Sequence, residues 1–168
     1  MRGEYNGFEF WAYDVSLSIL LAEMARTAEG TGPQETGSRL AALLPELRVH
    51  AVVGADFGLP LDKWVAGHEG DFVALVNAAC VRLAARAVIT AEDAAGWQVL
   101  DGHTVLWREH DQVSTGPITA LGEALVKIIQ GSHPPAPAGR QWYFGIHGAD
   151  GPTSTIRTRS EASDLGAG

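Results

Sequence analysis

Residues 71–88, DFVALVNAACVRLAARAV, carry the apolar pattern that most restricts what this chain can fold into. Apolar side chains recur there at the three- and four-residue spacing of one helical face, namely at Phe72, Val76, Ala79, Cys80, Leu83 and Ala87. Asn77, Arg82 and Arg86 interrupt the run, and such side chains disfavour a membrane span. The stretch therefore predicts a core helix that packs against a sheet and around which the other elements are arranged.

Strand and helix patterns occur in mixed order along the rest of the chain. Strands are predicted over residues 7–13, 103–109 and 141–147, and helices over residues 14–29, 38–47, 90–96 and 117–130. Residues 49–53 predict a strand, with a buried helix end as the alternative. Residues 55–70 contain several glycines and a proline, which predicts a long connection. The sum is an α+β domain with a small mixed or antiparallel sheet of about four strands, covered by about four or five helices.

Length and charge limit the number of domains and the kind of partner. A chain of 168 residues is long enough for one domain with its own core, which we expect over residues 1–148. Residues 149–168 are poor in apolar side chains and predict a polar, mobile tail. The net charge of −8 repels a phosphate backbone, so nucleic acid is not an expected partner.

The cysteine content and the N-terminal sequence bear on location. Cys80 is the only cysteine and falls on the apolar face of the predicted core helix, which indicates a buried side chain and no intrachain disulfide. The first ten residues, MRGEYNGFEF, lack the apolar core of a signal peptide, and no segment has the length and apolarity of a membrane span. We therefore expect a cytoplasmic protein without a membrane anchor.

Catalytic and metal-binding motifs with fixed spacing are absent from the sequence. There is no HExxH, no pair of CxxC motifs, no GxSxG and no EF-hand loop. Histidines lie beside carboxylates at His68, His103 and His110, but each of these groups is close in sequence only. Among them His103, two residues after Asp101, is a candidate catalytic residue across a turn. The sequence predicts no metal site and no cofactor.

A more distributed site depends on how the strands pair. If the first and last predicted strands are neighbours, Glu9, Trp11 and Tyr13 share a surface with Tyr143 and His147. The hypothesis is an aromatic pocket in which Glu9 and His147 carry out acid–base chemistry and the aromatic side chains bind. The alternative is that these aromatic residues are ordinary core and that Arg140 neutralises Glu9.

Two function classes remain open. The first is a non-catalytic cytoplasmic domain that binds another protein, as an inhibitor, an immunity protein or a regulator does. Its support is the negative charge, the absence of catalytic motifs and the aromatic residues Phe57 and Trp64 in the long connection. The second is a small-molecule enzyme or sensor that uses the histidine and carboxylate pocket. The oligomeric state is left open.

Overall fold

The structure is a computed structural model that describes residues 1–30, 38–54, 58–108, 110–149 and 151–156. Eight strands and six helices lie within them. The strands are β1 (Arg2–Tyr5), β2 (Phe8–Ala12), β3 (Val88–Thr90), β4 (Gln98–Leu100), β5 (His103–Thr104), β6 (Gln112–Ser114), β7 (Arg140–Phe144) and β8 (Thr153–Ile156). The helices are α1 (Asp14–Gly30), α2 (Ser38–Val53), α3 (Leu61–Val65), α4 (Glu69–Ala84), α5 (Ala91–Gly96) and α6 (Thr115–Ile129).

The main sheet has four strands in the order β1-β2-β7-β8. β1 and β2 form an antiparallel hairpin whose two turn residues, Asn6 and Gly7, both have positive φ, as a type I′ turn requires. β2 and β7 are parallel, and β8 returns antiparallel to β7. The first and last predicted strands are therefore neighbours inside a mixed sheet, and β3–β6 and β4–β5 form separate two-stranded sheets.

The helix at the centre of the core is α1, which corrects the expectation that residues 71–88 would occupy this position. Fourteen of the 17 residues of α1 are buried, and the helix contacts α2, α4 and α6. In α4, five of 16 residues are buried, so this helix covers α1 from one side. The apolar run of residues 71–88 includes alanines at positions that face solvent, whereas α1 is buried on nearly all sides although several of its buried residues are polar.

Three other segments differ from the sequence prediction. Residues 49–53 continue helix α2, because Leu43, Leu47 and Ala51 are buried at a four-residue spacing and hold the last turns on the core. The predicted strand over residues 103–109 pairs only at β5, since residues 105–108 leave the ladder. The long connection over residues 55–70 includes the short helix α3 and the start of α4.

The C-terminal part of the sheet lies beyond the predicted end of the domain. β8 falls within the stretch that the sequence predicts to be a tail, and it pairs with β7 over four residues. A strand with the sequence TSTI has one strongly apolar residue, so hydrophobic alternation alone does not reveal it. Residues 157–168 lie outside the described part of the chain.

The α+β class with a four-stranded mixed sheet is confirmed. A capping box begins α5: the Asp93 amide donates to Thr90 Oγ1 at 3.1 Å and the Thr90 amide donates to Asp93 Oδ2 at 3.0 Å. Of the helices described here, none has the length and apolarity needed to cross a bilayer.

Candidate functional site

One face of the four-stranded sheet is built into the core and the other retains access to solvent. Phe10, Ala12 and Phe144 are almost completely buried on the core face. Because side chains alternate along a strand, their sequence neighbours point the other way. We call this side the open face. Its described side chains at least partly reach solvent at Arg2, Glu4, Glu9, Trp11, Tyr143 and Thr153, whereas Gln141 on the same side is buried.

Trp11 and Tyr143 are the aromatic centre of the open face. They are directly opposite each other in the parallel pairing of β2 with β7, and both side chains are half-buried. The Trp11 indole N–H donates to Gln141 Oε1 at 2.6 Å, which fixes the orientation of the indole ring. The sheet therefore presents a tryptophan of fixed orientation beside a tyrosine.

Tyr13 extends this surface beyond the end of β2 and meets two histidines there. The Tyr13 hydroxyl is 2.8 Å from His110 Nε2, and the His110 ring centroid is 5.0 Å from that of His147. The Trp107 indole N–H donates to the His110 carbonyl oxygen at 2.7 Å and anchors the loop that carries the imidazole. We call Tyr13, His110 and His147 the Tyr–His cluster.

An ion pair between an exposed arginine and a buried carboxylate lies next to this cluster. The Arg108 guanidinium binds the carboxylate of Asp14 at 2.7 Å, and the Asp14 side chain is only 9% exposed. Burial raises the pKa of Tyr143, and the nearby Asp14 carboxylate and Tyr13 hydroxyl act in the same direction, while Arg108 opposes them. Burial likewise raises the pKa of Tyr13. Both tyrosines thus keep their protons at neutral pH and are able to donate a hydrogen bond.

The structure places Glu9 and His147 at opposite ends of the parallel strand pair. Glu9 lies near the start of β2, where its carboxylate binds Arg2 at 2.7 Å. His147 follows the end of β7, and β7 runs in the same direction as β2. Ala12 pairs with Phe144, so the two strands end side by side. Glu9 precedes Ala12 by about 10 Å along β2, whereas His147 lies beyond Phe144 in the opposite direction. His147 contacts His110 instead, and the partner of Glu9 is Arg2 rather than Arg140.

The remaining sequence candidates lie elsewhere. Trp64 is in α3, is 6% exposed and donates its indole N–H to Glu46 Oε2 at 2.7 Å. His103 is exposed in the β4–β5 hairpin, directly after the Asp101–Gly102 turn. Phe57 lies outside the described residues.

Sequence reasoning missed the part of the site that comes from residues 107–110. The sequence pattern relates His110 only to its immediate neighbours. The ion pair between Arg108 and Asp14 joins residues that no local pattern connects. The nearest sequence signal is the aromatic and charged composition of this segment. Within the described ranges, no three His, Cys, Asp or Glu side chains are arranged to hold a metal ion.

Comparison with protein-family models, with curated proteins and with solved structures finds no match to this chain.

Proposed function

We propose that this chain is a non-catalytic domain that binds another protein through the open face of its four-stranded sheet. The observation that carries the proposal is the pair of half-buried aromatic side chains, Trp11 and Tyr143, held side by side on that face. Tryptophan and tyrosine are the residue types that most often dominate the free energy of protein association. A partner covering them would remove aromatic surface from water without requiring either ring to be ordered first.

The shape of the surface favours a protein over a small molecule. Four cavities in the described part of the chain have walls that include neither Trp11 nor Tyr143. Small-molecule sites are concave and enclose most of the ligand, whereas side chains standing on a sheet face suit a broad partner surface.

Charge indicates a partner with a basic surface. Glu4 and Glu9 are opposite each other on the hairpin. Arg2 forms its ion pair with Glu9, and Glu4 has no ion pair among the described residues. The chain as a whole carries a net charge of −8. This charge would accelerate the encounter with a basic protein and repel nucleic acid. A chain with one cysteine forms no internal disulfide, which supports the cytoplasmic location that we propose with this function.

The proposal is tested in two stages with one matched control. Affinity capture from extract of the source cells identifies a protein, which is then purified and titrated into the wild type, Trp11→Ala, Tyr143→Ala and Val81→Ala. Val81 is 72% exposed on α4, away from the sheet. We expect each aromatic substitution to weaken binding by about tenfold or more and Val81→Ala to leave it unchanged. Absence of saturable binding by a purified protein, or equal affinity for all four chains, would contradict the proposal.

The Tyr–His cluster supports a second candidate function, a small-molecule enzyme or sensor. A tyrosine hydroxyl 2.8 Å from an imidazole, with a second imidazole beside it, is able to donate and accept protons at a bound ligand. A thermal-shift screen against common metabolites distinguishes this candidate, because a ligand that binds only the folded chain raises its melting temperature. A dose-dependent rise that His147→Ala abolishes would favour it over protein binding.

A further inference from the structure

A cavity of about 360 Å³ lies between α1, α2 and the segment that follows α5, on the helical side of the molecule. Arg26 and Glu29 of α1, Arg48 of α2 and the indole of Trp97 contribute to its wall. None of these residues belongs to the open face or to the Tyr–His cluster. The cavity is therefore a separate feature of the fold.

The ion pairs at this cavity leave one positive charge in excess. Glu23 is buried, with its side chain 5% exposed, and two guanidinium groups bind it. Arg82 Nε donates to Glu23 Oε1 at 2.5 Å, and Arg26 Nη1 donates to Glu23 Oε2 at 3.3 Å. Since Arg82 already neutralises the carboxylate through the shorter contact, the charge of Arg26 is left largely unbalanced.

The second arginine in the wall is balanced by its own partner. Arg48 pairs with Glu29, and both side chains are partly exposed to solvent. The charged side chains in the cavity wall are thus two arginines, Arg26 and Arg48, and one carboxylate, Glu29, in a chain whose net charge is −8. A local excess of positive charge in an acidic protein attracts small anions to this place and not to the surface at large.

Arg26 is held in a position that suits an anion in the cavity. Its guanidinium carbon is 4.8 Å from the centroid of the Trp97 ring, and its side chain is 42% exposed. A guanidinium has five N–H donors, and Glu23 occupies only one of them in this structure. The contacts with Trp97 and Glu23 restrain the side chain, so less conformational entropy is lost when the free donors bind an oxyanion.

We propose that this cavity binds a small metabolite that carries a carboxylate or a phosphate group, with the anionic oxygens on Arg26 and the rest of the molecule in the space between α1, α2 and the segment that contains Trp97. Carboxylate and phosphate both present paired oxygens at the spacing of two guanidinium N–H groups. The volume is at the lower end of the range for small-molecule sites, which fits a metabolite and not a peptide. This site is independent of the proposed protein-binding face.

The test follows the NMR signal of the Trp97 indole N–H during titration with inorganic phosphate, glycerol phosphate and succinate, each compared with sodium chloride at the same ionic strength. The signal is assigned by its loss in Trp97→Phe. We expect a saturable shift with at least one of the three anions and none with chloride. The phosphate compounds and succinate separate the two possible anionic groups.

Three variants show whether the cavity arginines are responsible. We expect Arg26→Gln to weaken the binding by about tenfold or more, because it removes the charge and keeps the chain length. Arg48→Gln should weaken it less, and it serves as the second test if Arg26→Gln does not fold. Arg86→Gln is the matched control, since Arg86 also pairs with a carboxylate, Asp93, but does not line the cavity. No saturable shift with any of the three anions, or equal weakening in Arg86→Gln, would overturn the proposal.

Discussion

Replacing Gly3 by alanine is expected to destabilise the protein, although alanine is ordinarily the better residue in a strand. Gly3 is paired with Phe10 across the β1–β2 hairpin, and the Phe10 ring lies over the glycine. A Cβ at Gly3 would be 2.3 Å from Phe10 Cζ and 2.7 and 2.8 Å from the Cε atoms. Because carbon atoms in contact are about 3.5 Å apart, the ring would have to move by roughly 1 Å.

The ring has little room for this movement. Phe10 is 1% exposed and packs against Phe144, with ring centroids 5.8 Å apart. Overpacking a core typically lowers the free energy of unfolding by about 1–3 kcal/mol. Alanine also reduces the conformational entropy of the unfolded chain, which raises the free energy of unfolding by about 0.4–1 kcal/mol. The midpoints of these two ranges give an expected net loss in the free energy of unfolding of about 1.3 kcal/mol.

Urea unfolding followed by tryptophan fluorescence measures this loss. With a typical slope of about 2 kcal/mol per molar urea, the midpoint should fall by roughly 0.5–1 M in Gly3→Ala. Gly70→Ala is the control, because no atom lies within 4 Å of its added Cβ, and it should stabilise the protein by about 0.4–1 kcal/mol. Combining Gly3→Ala with Phe10→Leu should recover about 1 kcal/mol relative to additivity. A Gly3→Ala protein as stable as the wild type would refute the reasoning.

Three further predictions concern the helices. Gly122→Ala should lower the free energy of unfolding by about 1 kcal/mol in urea melts, because the new Cβ would lie 2.2 Å from Cys80 Sγ, and Cys80→Ala in the same chain should restore most of it. Burial raises the pKa of the Cys80 thiol to about 11, so alkylation at neutral pH should be roughly a hundredfold slower than in the urea-unfolded chain; equal rates would contradict this. Hydrogen bonds from Lys63 and then from Trp64 lower the pKa of Glu46, so their stabilising effect is present above the unfolded pKa and is lost as the pH falls through the folded pKa. Unfolding free energies measured between about pH 5 and 3 should therefore decline less steeply in Glu46→Gln than in the wild type, and equal slopes would contradict the assignment.

The sheet at the centre of the site was largely predictable from sequence. Alternating aromatic residues identify β2 and β7 as strands. Their pairing is only a condition of the site hypothesis, and the structure meets this condition with Trp11 opposite Tyr143. β1 was not predicted, because Arg2–Tyr5 contains few residues typical of strands. The Asn6–Gly7 pair indicates a turn, but it does not show that the residues before the turn form a strand.

The contacts around Tyr13 could not be predicted, because they join residues that are far apart in the sequence. Tyr13 and His110 are separated by 97 residues, and the loop that carries His110 has no regular periodicity. The end of α2 illustrates a different limit, since a short apolar run such as residues 49–53 fits a strand or a buried helix equally well. Tertiary packing of Leu47 and Ala51 decides between the two.

The measurement that tests the proposed function most directly compares two charge reversals in their affinity for the captured protein. Glu4→Lys alters the open face, while Glu123→Lys makes the same change in net charge on an exposed position of α6. If a basic partner docks on the open face, Glu4→Lys should weaken binding by about tenfold and reduce its dependence on salt, and Glu123→Lys should leave both nearly unchanged. Equal effects of the two substitutions, or wild-type affinity in Glu4→Lys, would contradict the account.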